Sequence, residues 1–196
     1  MLRPHPISFL QFGTFWLIVA IGAAALIRAF ARKPKDGGTA KKSLVSSTGI
    51  ALQAVGFGAV GLGPVRFALP WSAAASILWA ALVALLGGAA VAIFIAATRA
   101  MGKNWSVVAR TRSDHELVRS GPFAVVRHPI YVALFLYMLS FGVAFGHFTQ
   151  LLIGVPFFCA GTFIRIREEE KLLRAQFGED HARYVREVPA VIPFIG

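Results

Sequence analysis

The sequence predicts an all-α, polytopic integral membrane protein with about five transmembrane helices. Three observations carry that reading. Of the 196 residues, 57% are hydrophobic, and the mean hydropathy is +0.67. That is too apolar for a soluble domain of this size. The apolar residues fall in five runs, at roughly 7–29, 45–63, 73–98, 129–146 and 149–166, and about 20 residues of helix cross the hydrocarbon core. The net charge of +11 sits between these runs rather than within them. A charge of that size also suggests nucleic acid, but its placement fits the excess of Lys and Arg in cytoplasmic loops of membrane proteins, so no nucleic-acid partner is expected.

The first run is too long for the apolar core of a signal peptide, and only Arg3 precedes it, so it reads as a retained helix. A basic linker follows, with Lys33, Pro34, Lys35, Asp36, Gly37 and Gly38 giving it flexibility. The second run is rich in glycine. Ala54 and Gly58, and Ala59 and Gly63, are small residues four apart, a spacing that lets helices approach closely. Gly87 and Gly88 in the third run have the same explanation. The fourth and fifth runs are the shortest, with Gly146, His147, Phe148 and Thr149 at a tight hairpin between them. Pro156 predicts a local kink in the fifth run. Cys159 stands alone, so no intrachain disulfide forms.

Orientation follows from the charges. Lys33, Lys35, Lys41 and Lys42 follow the first run, and Lys103, Arg110, Arg112, Arg119 and Arg127 follow the third. Lys171, Arg174, Arg183 and Arg186 follow the fifth, with Arg165 at its edge. The opposite side holds only Arg3 and Arg66. The N-terminus is therefore expected outside and the C-terminus inside. All nine carboxylates fall on the inner side, so chemistry that uses them faces the cytoplasm.

Two polar clusters flank the last two runs. The first extends from His115 to Tyr131, and Pro129 opens the fourth run. Proline suits the first helical position, and free N–H groups there favour an anion. The ordinary alternative is an interfacial anchor, for which Arg, His and Tyr are common. The second cluster is Arg165 followed by Glu168, Glu169 and Glu170. Arg165 and Glu169 are four apart and share a helical face. Leu173, Phe177, Tyr184 and Val188 extend an amphipathic helix that Gly178 weakens or divides. Arg165 lies at the membrane edge, where an ionisable residue is a functional candidate.

His115-Glu116-Leu117-Val118, Gly121-Pro122-Phe123, Arg127-His128-Pro129-Ile130-Tyr131, Arg165 with the Glu run, and Phe177-Gly178 occur in that order. This set resembles the isoprenylcysteine carboxyl methyltransferase family, which is related to the phospholipid N-methyltransferases. The resemblance covers about the last 95 residues. It implies one membrane domain, with 1–100 supplying three helices and 101–196 the cofactor-binding and catalytic part. It also implies S-adenosyl-L-methionine as cofactor, enclosed by the last two helices and the C-terminal segment. Carried over by position, His115, Glu116, Leu117, Val118, Phe123, His128, Pro129, Ile130, Tyr131 and Glu169 line the cofactor site. Arg165 faces the methyl acceptor, and Arg165 and Glu169 are the catalytic pair. Phe123 stands where the family often has Tyr, and Ala133 where it often has Gly.

The chemistry agrees with that assignment. A carboxylate accepts hydrogen bonds from the cofactor's amine or ribose hydroxyls, and an aromatic ring faces adenine or the sulfonium. N–H groups near Pro129, with His128, would hold the cofactor's carboxylate. Methyl transfer depends on alignment more than on acid–base work. A carboxylate acceptor needs no base, and the fork of Arg165 can hold it. A lipid amine would need a proton acceptor, for which a Glu is the candidate. A lipophilic or lipid-modified acceptor would enter laterally from the bilayer, among membrane lipids. No metal site is expected, because the five histidines show no paired ligand spacing. Alternatives are an N-methyltransferase of phospholipids or amines, an NADPH-dependent membrane sterol-type reductase, and a non-catalytic scaffold.

Overall fold

A computed structural model describes residues 4–31, 44–102 and 117–192. The linker at 33–38, His115 and Glu116 lie outside the described residues. Among the described residues five α-helices follow one another: α1 Phe9–Ala31, α2 Leu44–Gly61, α3 Ala74–Met101, α4 Pro129–Phe145 and α5 Phe148–Glu187. A short 3-10 turn, Gly121–Ala124, precedes α4. No strand is formed among the described residues; Ile7 and Phe67 make an isolated bridge.

α1, α3 and α5 are long and apolar enough to cross a membrane, whereas α2 and α4 are shorter apolar helices. Their outer faces are unlike those of a soluble bundle. Leu17, Leu78, Leu85 and Leu152 are all more than half exposed, while Gln11, Gln53 and Ser140 are buried. Exposed apolar faces around a polar-studded interior suit a hydrocarbon solvent.

Two ends of the bundle can be told apart. At one end His5 N–H donates to Gly146 O at 2.9 Å, and Ile7 N–H donates to Arg66 O at 2.8 Å. The start of the chain, the α2–α3 connection and the α4–α5 turn therefore meet there. At the other end, Arg127 N–H donates to Pro189 O at 2.8 Å and His128 N–H to Ala190 O at 2.9 Å. The chain runs up and down between these ends.

Two apolar clusters hold the helices. Phe15 and Ile18 of α1, Val83 of α3 and Val143 and Ala144 of α4 form one. Val60 of α2, Met138 of α4 and Phe158 of α5 form the other, so α4 joins both.

Between α2 and α5 the backbones nearly touch. A Cβ on Gly56 would lie 2.7 Å from Gly154 O, and one on Gly161 would lie 2.5 Å from Gly49 O. Glycines at the crossing are thus required for the approach. The small pairs expected to carry this contact do not all do so. Gly58 faces open space and Ala54 is exposed; the contact runs instead through Gly49 and Gly56, two turns apart on the face toward α5. Gly87 is packed against Ile18 and Ser140, but Gly88 also faces open space.

We predict opposite outcomes for two alanine substitutions in α2. Gly56→Ala meets backbone atoms that cannot swing away and should destabilise by about 1–3 kcal/mol. Gly58→Ala should be neutral or slightly stabilising, since alanine is the better helix former. Melting temperatures in detergent separate the two.

α5 has 40 residues with a break at Gly178; the part before the break is about 45 Å long at the rise of an α-helix, more than the thickness of a hydrocarbon core. Its apolar half is followed from Arg165 by a charged half. Backbone angles stay helical at Pro156 and depart at Gly178, where φ is 50° and ψ is −119°. Glycine tolerates that positive φ without strain. The break lets the segment from Glu179 to Glu187 pack onto the loop before α4.

Candidate active site

The site is built where α2, the start of α4 and the middle of α5 meet the C-terminal segment. α5 sets the register. Arg165 is 9% exposed and points toward α2. Gly49 makes room for it, because a Cβ there would lie 2.5 Å from Arg165 Cγ. One turn along α2, Gln53 Oε1 accepts from an Arg165 guanidinium N–H at 3.1 Å, and Gln53 Nε2 donates to Thr162 Oγ1 at 2.8 Å. A buried charge needs such partners. The guanidinium carbon also sits 5.2 Å from the centre of the Tyr131 ring, within cation–π range.

Glu169 lies one turn beyond Arg165 and receives three groups. The Tyr131 hydroxyl donates to its Oε1. Arg165 approaches the same oxygen at 3.8 Å, and His128 Nδ1 lies 3.4 Å from Oε2. The next residue, Glu170, faces inward as well. His128 Nε2 donates to Glu170 Oε1 at 2.8 Å and Arg127 Nε to the same oxygen at 2.9 Å. His181, beyond the Gly178 break, brings its Nε2 to 3.3 Å from Glu170 Oε2.

The two imidazoles titrate in opposite directions. Burial would lower the pKa of His128, but its hydrogen bonds to Glu169 and Glu170 outweigh it and raise the pKa above 6.5. Burial lowers that of His181, helped by Arg127, His128 and Arg174 against the pull of Glu170. For Glu170, burial acts upward, yet the bonds from His128 and Arg127 prevail and hold its carboxyl at about 2. The two carboxylates thus favour the protonated form of His128.

The sign of the pH effect follows from linkage. A histidine with a raised folded pKa adds stability that is full below pH 6.5 and vanishes as pH rises through the raised value. We predict that the melting-temperature deficit of His128→Gln is largest near pH 6 and shrinks toward pH 9. A deficit constant across that range would mean that His128 acts by packing alone.

The C-terminal segment closes one side. Tyr184 donates its hydroxyl to Phe123 O at 2.6 Å, and Arg119 pairs with Glu187. Arg127 donates to the carbonyls of Val185 and Val188. Phe123 is buried beneath this contact, and Leu117 and Val118 are half-buried nearby in sequence.

The structure thus brings Arg165, Glu169, Tyr131 and His128 together, with Phe123, Pro129 and Ile130 on the same loop and helix start. Two features differ from the sequence expectation. The N–H groups near Pro129 are mostly taken: Arg127 and His128 donate to Pro189 and Ala190, and Tyr131 and Val132 donate to His128 O. His128 is turned to the carboxylates rather than free as a donor for an anion. Sequence reasoning also missed Gln53, Thr162, Glu170 and His181. A glutamine inside an apolar run was the one available signal.

The donor set fits the implied cofactor in part of its chemistry. Glu169 is partly accessible beside an aromatic ring and offers acceptor oxygens, as an amine or ribose hydroxyls would need. Among the described residues no group of three or more His, Cys, Asp or Glu could hold a metal ion.

Apolar helices enclosing a polar, carboxylate-rich junction at one end define an all-α integral membrane protein with a candidate site at that junction. Residues 73–175 match the isoprenylcysteine carboxyl methyltransferase (ICMT) family, and the chain belongs to that family. It is 35% identical over 89 residues to the protein-S-isoprenylcysteine O-methyltransferase of Schizosaccharomyces pombe, covering 45% of this chain and 38% of that protein. Identity to the human enzyme of that name is 34% over 105 residues, covering 48% of this chain and 34% of that protein. The match therefore spans little more than a third of these relatives. In three dimensions the chain resembles a solved structure described as the eukaryotic intramembrane Ras methyltransferase ICMT. The TM-score is 0.58 at 20% identity, covering 94% of this chain and 67% of that one. That likeness concerns the fold.

Proposed function

We propose that this chain is a membrane methyltransferase that uses S-adenosyl-L-methionine to methylate the carboxylate of an isoprenylcysteine-like acceptor. The observation that carries the proposal is the Arg165–Glu169 pair on one face of α5, linked through Tyr131 to α4. It places a partly accessible carboxylate on the polar side and a buried guanidinium one turn deeper. In this reading His115, Glu116, Leu117, Val118, Phe123, His128, Pro129, Ile130, Tyr131 and Glu169 surround the cofactor. When bound, the cofactor supplies an electrophilic methyl group on a sulfonium. The residues of the chain orient and exclude water: Glu169 accepts from the amine or the ribose, Tyr131 presents its ring, and Arg165 holds the acceptor carboxylate. The acceptor is already an anion, so no base is required.

The proposal extends to topology. All five helices cross the membrane, with the N-terminus outside and the site facing the cytoplasm. The charge segregation and the alternation of ends support this. At 17 residues α4 is at the short limit for a span. In intact cells, a cysteine placed at Lys35 should resist an impermeant thiol reagent that labels one placed at Arg66. Equal labelling of both would overturn this orientation.

The test of function uses detergent-purified protein. S-adenosylmethionine should raise the melting temperature and NADPH should not. Label from methyl-labelled cofactor should pass to an S-prenylated cysteine derivative and be released by mild base, as an ester is. Stabilisation by NADPH instead would favour the reductase. Base-stable label on a phospholipid extract would favour N-methylation.

A further inference from the structure

We infer that the groove between α1 and α3 binds the headgroup and upper acyl chain of an anionic phospholipid. The groove has a volume of about 230 Å³, and its walls include Ile21 and Ala25 of α1 and Ile95 and Thr98 of α3. Arg28 and Arg99 also line it. Each lies in the last turn of its helix, and the two helices pack side by side and end at the same end of the bundle. The groove therefore carries two guanidinium groups, one from each wall, at the polar edge of an apolar surface. None of its lining residues belongs to the cluster around Arg165 and Glu169.

Charge and shape select the occupant. Both arginines are exposed, and neither has an ion-pair partner among the described residues. The hydroxyl of Thr98 is already committed to the carbonyls of Phe94 and Ile95. Among the described residues the site thus offers strong donors and no competing acceptor side chain. Paired guanidinium forks match the oxygens of a phosphate. A free phosphate would use only the arginines. A phosphodiester carrying acyl chains also covers the apolar wall, where Ala24, Ala25 and Ala29 leave space that larger side chains would fill. Basic pockets between transmembrane helices suit anionic headgroups in this way.

The experiment is native mass spectrometry of the full chain in detergent with phosphatidylglycerol or phosphatidylcholine. The expected result is about tenfold or greater preference for phosphatidylglycerol, given two basic contacts. The Arg28→Gln/Arg99→Gln double variant should lose that preference. Ala25→Trp keeps both charges but fills the groove, and should lose phosphatidylglycerol binding while retaining helical circular dichroism. No preference in the wild type would overturn the inference. So would full binding in Ala25→Trp, which would mean diffuse surface attraction. Inorganic phosphate that raises the melting temperature as much as phosphatidylglycerol at equal concentration would mark a free-anion site and also overturn it. If the double variant does not fold, Arg28→Gln alone should still weaken phosphatidylglycerol binding, and an unchanged affinity there counts against the site.

Discussion

Arg165→Lys is expected to lower methyl transfer by about a hundredfold while leaving S-adenosylmethionine affinity and melting temperature near those of the wild type. The guanidinium reaches Gln53 Oε1 at 3.1 Å and Glu169 Oε1 at 3.8 Å, and lies 5.2 Å from the Tyr131 ring centre. One ammonium on a different stem cannot reproduce that planar set of contacts. It preserves the charge, so the cost of an empty buried partner is avoided. What changes is alignment, and a misplacement of about 1 Å is worth on the order of a hundredfold in a displacement reaction. Single-turnover transfer of labelled methyl to an S-prenylated cysteine derivative measures the step directly. Wild-type turnover in a well-folded Arg165→Lys protein would reduce Arg165 to a membrane anchor. Lost cofactor affinity would move it into the cofactor site.

The helices were legible because apolar runs of membrane length have few other uses. Their pairing was not. That glycines of α2 approach a neighbour could be read from composition, but the face they use depends on where α5 lies. Gly49 and Gly56 meet Gly161 and Gly154, while Gly58 faces open space. The helical segment after the apolar run was legible from Leu173, Phe177 and Tyr184, and so was its division at Gly178. An apolar run stops where the solvent changes, near 166, but helix continues past it to a break at Gly178 and resumes to Glu187, because backbone bonds do not depend on the solvent.

At the site, motif order brought out Tyr131, His128, Arg165 and Glu169, which carry distinctive chemistry. Gln53 and Thr162 are single polar residues on separate helices, and only the α2–α5 crossing makes them partners of Arg165. Glu170 follows Glu169 directly, and adjacent residues on one helix point in different directions. Both glutamates nevertheless find inward partners: α4 and Tyr131 lie beside Glu169, and the folded-back segment with His181 lies beside Glu170. A helix covered on two sides has two inner faces.

That geometry sharpens the remaining expectation. Glu169→Gln should weaken S-adenosylmethionine binding by about ten- to a hundredfold, the equivalent of roughly 1.5–3 kcal/mol for loss of a charged acceptor. Glutamine preserves the size of the side chain and an oxygen for the Tyr131 hydroxyl, so the loss reads charge rather than shape. Glu168 lies about 100° away around the helix, and Glu168→Gln should leave affinity nearly unchanged. Glu170→Gln should act differently from both. Its carboxyl is bound by Arg127 and His128, so its loss should lower the melting temperature more than the cofactor affinity. Titration calorimetry on the three variants, set against their melting temperatures, distinguishes ligand contact from scaffold. Equal loss of affinity in Glu168→Gln and Glu169→Gln would remove Glu169 from the cofactor site, and an unaffected Glu169→Gln would leave it as an internal partner for Tyr131 and Arg165.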